Sequence, residues 1–213
     1  MIYEKQLAFV MAPNLSIDNL LHELGKLSPA GYFAGLHIRF AAPLLMFQTY
    51  DQAWIDHYTN NAYAMRDPMI AWGFSKSGAS RWSEITLPDP FGILKEARQF
   101  GLLYGCCVGC GEMSSRTIAG AARSDREYTD DEMARIGAIV LRLHKKTQPP
   151  ESLTPAQIEA LRLIGAGDRH AAAAAKLGIS ESALKARLNS ARERLFARTT
   201  AEAIQRARDF RLL

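Results

Sequence analysis

The sequence predicts an α+β protein in two parts. The N-terminal part is an α/β/α sandwich around a central, mostly antiparallel sheet. The C-terminal part is an all-α domain of four helices. Three observations carry this expectation. Over the first 145 or so residues, apolar positions at helical spacing alternate with short strand-like runs separated by tight turns. The segment KTQPPES (146–152) is a polar, proline-bearing break, read as a semi-rigid linker over 147–152 between domains at 1–146 and 153–213. Beyond it the pattern is helical only, and the charge balance changes. Residues 1–149 hold 15 Lys/Arg and 15 Asp/Glu, whereas residues 150–213 hold 11 and 7. The whole net charge of +4 therefore lies in the last 64 residues.

The elements follow in order. Ser16 suits the cap of a first helix whose apolar face is Ile17, Leu20, Leu21 and Leu24, ended by Gly25 and Pro29. Residues 35–40 and 44–50 read as strands around the Ala-Ala-Pro turn at 41–43. Asp51 can cap a helix on which Tyr50, Trp54 and Tyr58 share a face at i, i+4 and i+8. Asp67 followed by Pro68 opens another helix. The turn Leu87-Pro88-Asp89-Pro90 precedes a helix expected to run to about Leu103, with Ile93, Ala97 and Phe100 on one side. Two strands, 104–111 and 115–122, are joined by a glycine-containing turn. Thr129 with Glu132 forms a capping box, and the helix it starts carries Met133, Ile136, Val140 and Leu143 on one stripe. Lys145 and Lys146 suit its C-terminal end. That stripe serves equally for packing on the sheet or for pairing two protomers.

With 48% apolar and 23% charged residues, the composition is that of an ordinary globular protein. No apolar run approaches the ~18 residues of a membrane span. The N-terminal segment carries Glu4 and lacks the basic and apolar regions of a signal peptide, so a cytoplasmic protein without a membrane partner is expected. The histidines are scattered, and no Ser-His-Asp order, phosphate loop or HExxH is present, so no enzyme class and no cofactor is indicated. Cys106, Cys107 and Cys110 form a CCxxC cluster without a second pair or a nearby histidine. They read as small apolar residues on a strand rather than as a metal or redox site.

The stretch 50–82 is the candidate site. Within it, Tyr50, Tyr58, Trp54, Trp82 and Asp67 stand among apolar neighbours. A buried carboxylate is costly unless it is hydrogen-bonded, and buried Tyr O–H and Trp N–H groups seek partners. A small ligand with carbonyls and an N–H would satisfy them all. An aromatic core with Asp67 as a helix cap would account for the same residues.

In the C-terminal part, Thr154-Pro155-Ala156-Gln157 is a capping box with proline at the first helical position. Its helix carries Ile158, Leu161 and Ile164. An alanine-rich helix follows over 170–177, then the turn Gly178-Ile179-Ser180, then a helix from Glu181 to about Phe196. Leu184, Leu188, Ala191 and Leu195 face inward on it, while Ser182, Lys185, Asn189 and Arg192 make a polar, basic outer face. A closing helix from Thr200 to Phe210 packs Ala203, Ile204 and Ala207. Two short helices joined by a glycine-containing turn, the second with a basic face, make a helix-turn-helix.

The pattern Tyr50-x3-Trp54-x3-Tyr58, then Asp67-Pro68, then Trp82 resembles the autoinducer-binding domain of LuxR-type quorum-sensing regulators. The C-terminal segment resembles the LuxR-type DNA-binding domain through LTP at 153–155, Leu161, Gly167, LGIS at 177–180, and Leu184, Lys185 and Leu188. The resemblance covers nearly the whole chain in the family's order. It implies a homodimeric transcription factor that binds an N-acyl-homoserine lactone and a two-fold symmetric site on double-stranded DNA, with RNA polymerase as a further partner. It implies that Tyr50 donates to the acyl carbonyl, Trp54 to the lactone carbonyl, and that Asp67 accepts the amide N–H. Tyr58 and Trp82 would wall the lactone ring, Thr117 would add a hydroxyl, and Leu45, Met46, Ile70 and Cys107 would neighbour the tail. Ser182, Lys185, Arg187, Asn189 and Arg192 would face DNA. The chain departs from the family's pattern at Gln157, where Glu is usual, at Ala183, where Thr often contacts phosphate, and at Arg187, where His is common. These departures bear on which DNA sequence is read. A regulator of this fold that reads another small molecule, or none, and an enzyme acting on lactones are the alternatives. For the enzyme, neither a metal cluster nor a nucleophile with its base is visible in the sequence.

Overall fold

The computed structural model describes residues 15–39 and 42–213. The expectation for the N-terminal segment concerns residues outside these, as do Phe40 and Ala41 at the first expected turn. The described chain forms two compact units, Leu15–Gln148 and Pro149–Leu213.

In the first unit, α1 (Leu15–Leu27) buries Ile17, Leu20 and Leu24. The helix is already formed at Leu15, so Ser16 lies in its first turn rather than capping it. It runs past Gly25, and the Ser28 hydroxyl donates to Leu24 O at 2.8 Å where it ends. β1 (Tyr32–Ile38) begins three residues before the expected strand and pairs antiparallel with β2 (Leu45–Gln48). α2 (Gln52–Asn60) is capped by Asp51, whose carboxylate accepts from Ala53 N–H at 2.8 Å. Tyr50 therefore precedes the helix that carries Trp54 and Tyr58, and reaches the same side from the strand exit. α3 (Pro68–Ser75) is capped by Asp67.

A short strand that the sequence reading did not anticipate, β3 (Gly78–Arg81), forms one edge of the sheet. It is small, polar and half-exposed, so it lacks the apolar alternation that marks a strand. The helix expected up to Leu103 is reduced to α4 (Ile93–Ala97) followed by a 3-10 turn over Arg98–Phe100. The Asp89 carboxylate accepts from Ile93 and Leu94 N–H groups, at 3.0 and 2.9 Å, and Gly92 at φ +67° turns the chain in only there. Gly101, at φ +80°, ends the 3-10 turn. β4 (Tyr104–Cys110) and β5 (Arg116–Arg123) complete a sheet of order β2-β1-β5-β4-β3, antiparallel throughout. α5 (Asp130–Lys146) starts at the Thr129–Glu132 capping box.

Helices cover both faces. α5 packs on β1, β3, β4 and β5 and on α1, while α3 packs on β4 and β5. Strand alternation separates the two layers: Thr117 on β5 reaches α5, and Ile118 beside it meets Gly73 of α3. Met133, Ile136, Val140 and Leu143 are buried within the unit. The stripe that could have served either purpose packs against the sheet and α1.

The second unit is four helices: α6 (Pro155–Gly165), α7 (His170–Lys176), α8 (Glu181–Arg194) and α9 (Thr200–Asp209). Thr154 and Gln157 form the capping box, and Ser180 and Thr199 cap α8 and α9. Leu161, Ala173, Leu184, Leu188, Ala191 and Leu195 form the centre of its core, with Ala203, Ile204 and Ala207 closing it. α8 ends two residues before Phe196, which adopts φ +53°.

Candidate functional site

A cavity of about 600 Å³ lies on the α3 side of the sheet, between the strands and α2, α3 and α4. Eight of the ten residues singled out for a ligand line it: Tyr50, Trp54, Tyr58, Asp67 and Trp82 from the aromatic stretch, and Met46, Ile70 and Cys107. Three elements converge, two through their caps and one through strand pairing. Asp51 starts α2 with Trp54 and Tyr58 turned inward. Asp67 starts α3. The antiparallel pairing of β4 with β5 presents Cys107 opposite Gly120. Trp54 stacks edge-on with Tyr58, their ring centroids 5.5 Å apart, and is tilted against Phe100 at 5.3 Å.

Leu45 and Thr117 are the two corrections. Met46 pairs with Gly35 on the cavity face of the sheet, and Leu45, one residue away, points to the other face. Thr117 is fully buried there, where its hydroxyl accepts from His37 N–H at 3.1 Å and meets His144 Nδ1 at 2.9 Å. A one-residue register difference exchanges faces.

Asp67 is not an unpaired carboxylate. One oxygen accepts from the Met69 N–H at 2.7 Å and the other from the Tyr58 hydroxyl at 2.8 Å. Tyr58 is thus both a wall of the cavity and the group that orients Asp67. Burial raises the Asp67 carboxyl above the ordinary carboxylate range, and the Met69 N–H and Tyr58 O–H partly offset this. Burial likewise pushes the Tyr50 and Tyr58 hydroxyls up, so both remain protonated donors at neutral pH. The Trp82 indole N–H is enclosed beside the cavity with no partner among the described residues. Apart from these groups, Gln48 and Thr59, the wall is apolar, so a ligand carbonyl here would find donors ready in a low-dielectric setting.

Cys107 Sγ donates to Met69 O at 3.2 Å. Burial raises its thiol pKa, and that of Cys106 to about 12, so neither is a thiolate nucleophile. Among the described residues, no group of three or more His, Cys, Asp or Glu side chains is arranged to hold a metal ion.

The sequence reading missed Phe33, Ile38, Phe74, Leu94, Leu102 and Met65 on the cavity wall. Only β1, with Phe33 and Ile38, carried a usable signal, since the others stand on turns or on short helices. It also missed the buried polar cluster on the opposite face. His37 is buried at φ +53° in a bulge of β1, and its ring stacks on His144 with centroids 4.4 Å apart. Its Nε2 lies 2.9 Å from His144 O and 3.1 Å from Thr147 Oγ1, and its Nδ1 lies 2.8 Å from Ser115 Oγ.

In the four-helix unit, Ser182, Lys185 and Asn189 are exposed on α8. Arg187 and Arg192 are half-buried, and Arg192 donates to Asn189 Oδ1 at 3.1 Å. The outward basic face is therefore narrower than the helical spacing suggests.

A sheet with a largely apolar cavity under aromatic donors and a helix-capping aspartate defines a small-molecule binding domain. The family model described as "Autoinducer binding domain" matches residues 39–147. The chain belongs to this autoinducer-binding family of quorum-sensing regulators, and its partner is a small molecule. No curated protein matches the chain. Among solved structures it is similar to Escherichia coli SdiA, with 18% identity over 92% of this chain and 91% of that one and a TM-score of 0.52. It is also similar to SdiA in complex with octanoyl-rac-glycerol, with 17% identity over 91% and 88% of the two chains and a TM-score of 0.51. At these identities the likeness establishes the fold. No helix among the described residues is long and apolar enough to cross a membrane.

Proposed function

We propose that the chain is a cytoplasmic, homodimeric transcription factor whose domain at 1–146 binds an N-acyl-homoserine lactone and whose domain at 153–213 binds a two-fold symmetric DNA site. The observation that carries the ligand half is the convergence of Tyr50, Trp54, Tyr58, Asp67 and Trp82 on one cavity in a chain of the autoinducer-binding family. Tyr50 donates to the acyl carbonyl and Trp54 to the lactone carbonyl. Asp67 accepts the amide N–H on a lone pair left over from its bonds to Tyr58 and Met69. Trp82 closes the lactone end, and the tail runs among Met46, Ile70 and Cys107.

The DNA half is supported by the excess positive charge of the last 64 residues and by the α7–turn–α8 pair, with Ser182, Lys185, Arg187, Asn189 and Arg192 on or beside the outer face of α8. α8 is the recognition helix of a helix-turn-helix, and a pair of such helices is needed to read a full site. RNA polymerase is the downstream partner of such a regulator.

A thermal-shift panel of lactones with C4 to C16 tails tests the ligand half. Binding to the folded state alone stabilises it by about 2.7 kcal/mol at a hundredfold excess over Kd, several degrees of melting temperature. If no lactone shifts the protein, the lactone assignment fails. A second reading has its own observation: Asp67 is already partnered by Tyr58 and Met69, so a ligand without an N–H would leave it satisfied. An acyl ester is such a ligand, and a shift by an acylglycerol but by no lactone would select it. Mass spectrometry of incubated ligand recovered unchanged separates a sensor from a lactone-cleaving enzyme.

A further inference from the structure

Trp82 walls the cavity on a weak mount. Its indole N–H has no partner among the described residues, and its ring lies on Gly105, which has no side chain to grip it. It follows directly on β3, a four-residue strand at the edge of the sheet, paired with β4 alone. The anchor comes from the residue before it. Successive side chains of a strand face opposite ways, so Arg81 reaches the α5 layer while Trp82 faces the cavity. The Arg81 side chain is 16% exposed. Its Nε donates to Tyr128 O at 2.7 Å, and its terminal nitrogens donate to Glu84 Oε1 at 2.6 Å and to Asp130 Oδ1. Its backbone N–H donates to Glu84 Oε2 at 3.1 Å, which closes the 3-10 turn Trp82–Glu84. Within that turn, Ser83 Oγ donates to Glu127 Oε2 at 2.8 Å. The bonds that Arg81 and Ser83 make beyond the turn thus end on Glu127, Tyr128 and Asp130, where α5 begins.

We propose that Arg81 is the positioning residue for Trp82, locking the turn that carries the indole onto the start of α5. What Trp82 meets in the cavity rests on the lactone reading above, whereas how Trp82 is held does not. Arginine suits the task because its planar fork reaches several acceptors at fixed angles, two of them carboxylates. Lysine has no such fork and cannot satisfy Tyr128 O and both carboxylates in that geometry. With the lock in place, a ligand meets an indole that is already oriented, and binding carries no cost for ordering it. Without the lock, the ring takes more than one orientation over Gly105 and affinity falls. The same bonds make the start of α5 part of the mount, so a change at Asp130 is felt at Trp82.

The chain has only three tryptophans, Trp54, Trp72 and Trp82, so nitrogen-15 indole NMR of the full protein resolves each ring. Trp82→Phe assigns the third signal. The variants are Arg81→Met, Arg81→Lys, Asp130→Asn and Arg135→Met. Asp130 is 97% exposed, so its variant is expected to fold. Arg135→Met removes a charge from α5 at an exposed position whose ion-pair partner is Asp131. Spectra and lactone titrations are taken at a temperature at which circular dichroism shows each variant folded. Without ligand, Arg81→Met should broaden or double the Trp82 signal and leave those of Trp54 and Trp72 in place. Arg81→Lys and Asp130→Asn should do so to a smaller degree, and Arg135→Met should match wild type. Lactone affinity should fall by about tenfold in Arg81→Met, the equivalent of one charge-assisted hydrogen bond. A wild-type Trp82 signal in both Arg81→Met and Asp130→Asn would overturn the proposal. So would a lower melting temperature in Arg81→Met with wild-type lactone affinity, which is the mark of a merely structural residue. Failure of every lactone to bind wild type would remove the lactone reading, and the unliganded indole signals would still decide whether Arg81 holds Trp82.

Discussion

At the scale of single residues, the site depends on a glycine as much as on its aromatics. A Cβ at Gly105 would lie 2.3–2.5 Å from the Trp82 indole, and Gly105 sits in β4 between two paired strands that hold its backbone still. The ring, not the strand, must therefore move. Gly105→Ala is expected to displace Trp82 from the cavity wall, changing its fluorescence and abolishing the lactone-induced thermal shift. A variant that keeps the wild-type shift would show that Trp82 does not line the bound ligand. Tyr58→Phe removes the hydroxyl that Asp67 Oδ2 accepts, at a cost of about 1–3 kcal/mol in unliganded stability for the orphaned carboxylate. Ligand binding to that variant should weaken as well, because Asp67 loses its orientation. Equal melting temperatures for Tyr58→Phe and wild type would remove Tyr58 from this role. The aromatic positions were legible in the sequence because they are large, polar-tipped and regularly spaced. Leu45 and Thr117 were misread because a neighbour on a strand faces the opposite way, and nothing in a four-residue strand such as β2 fixes the phase. Tyr58 was assigned only a wall, because a hydrogen bond across nine positions leaves no local trace.

At the scale of elements, two buried polar devices hold the layers together, and neither is written in periodicity. Arg116, 4% exposed on β5, donates to Gly73 O at 2.8 Å, to Gly111 O at 2.6 Å, to Ser77 Oγ at 3.1 Å and to Lys76 O. Its guanidinium thus satisfies carbonyls at the C-terminal end of α3, where the helix dipole also favours a cation. Arg116→Met leaves several of these carbonyls without a partner. It should lower stability by roughly 2–4 kcal/mol, read as a lower urea midpoint with an unchanged slope. A midpoint within error of wild type would mean water replaces the guanidinium. The second device is the His37–His144 pair, which joins the β1 bulge to the end of α5. Burial, then the neighbouring His144, lowers His37 to about 4, and burial with Arg116 and Lys145 lowers His144. Unfolded histidine titrates near 6.5, so between that value and about 4 the unfolded chain binds more protons. The stability conferred by the neutral ring is therefore complete above pH 6.5 and lost as pH falls toward 4, by at most about 1.4 kcal/mol per pH unit for each proton. His37→Asn should flatten that dependence in urea titrations at pH 4.5, 5.5 and 7. An unchanged slope would assign the acid sensitivity elsewhere. The starts of the helices with strong capping boxes, α5 and α6, were legible to the residue, whereas α4 was overextended because Asp89 and Gly92 delay its start until Ile93 and a 3-10 turn closed by Gly101 replaces its last turn.

At the scale of the whole molecule, the charge division is the most informative feature of the sequence, and its consequence is electrostatic. Residues 1–149 are neutral overall and residues 150–213 carry the entire +4. If the C-terminal unit grips DNA through phosphates, each neutralised phosphate releases counterions, and log K should fall linearly with log salt at about 0.9 per contact. Lys185 is exposed on α8 and Arg187 is half-buried beside it. Lys185→Ala should cost about 1–3 kcal/mol, confined to particular sequences, if the ammonium reads a base edge. It should weaken all sequences alike and reduce the salt slope by about one if it touches phosphate. Dimerisation belongs to the same measurement, because one recognition helix reads few base pairs and two must be spaced by about one turn of DNA. The stripe Met133–Leu143 packs within its own unit, so pairing of two protomers has to use other surface. The expected outcome is a lactone-bound dimer by sedimentation at micromolar concentration, binding a symmetric site far more tightly than a half-site and losing affinity steeply between 50 and 200 mM salt. A lactone-bound monomer would remove the dimer, and affinity indifferent to salt would remove the nucleic-acid role of the C-terminal unit while leaving the small-molecule cavity untouched.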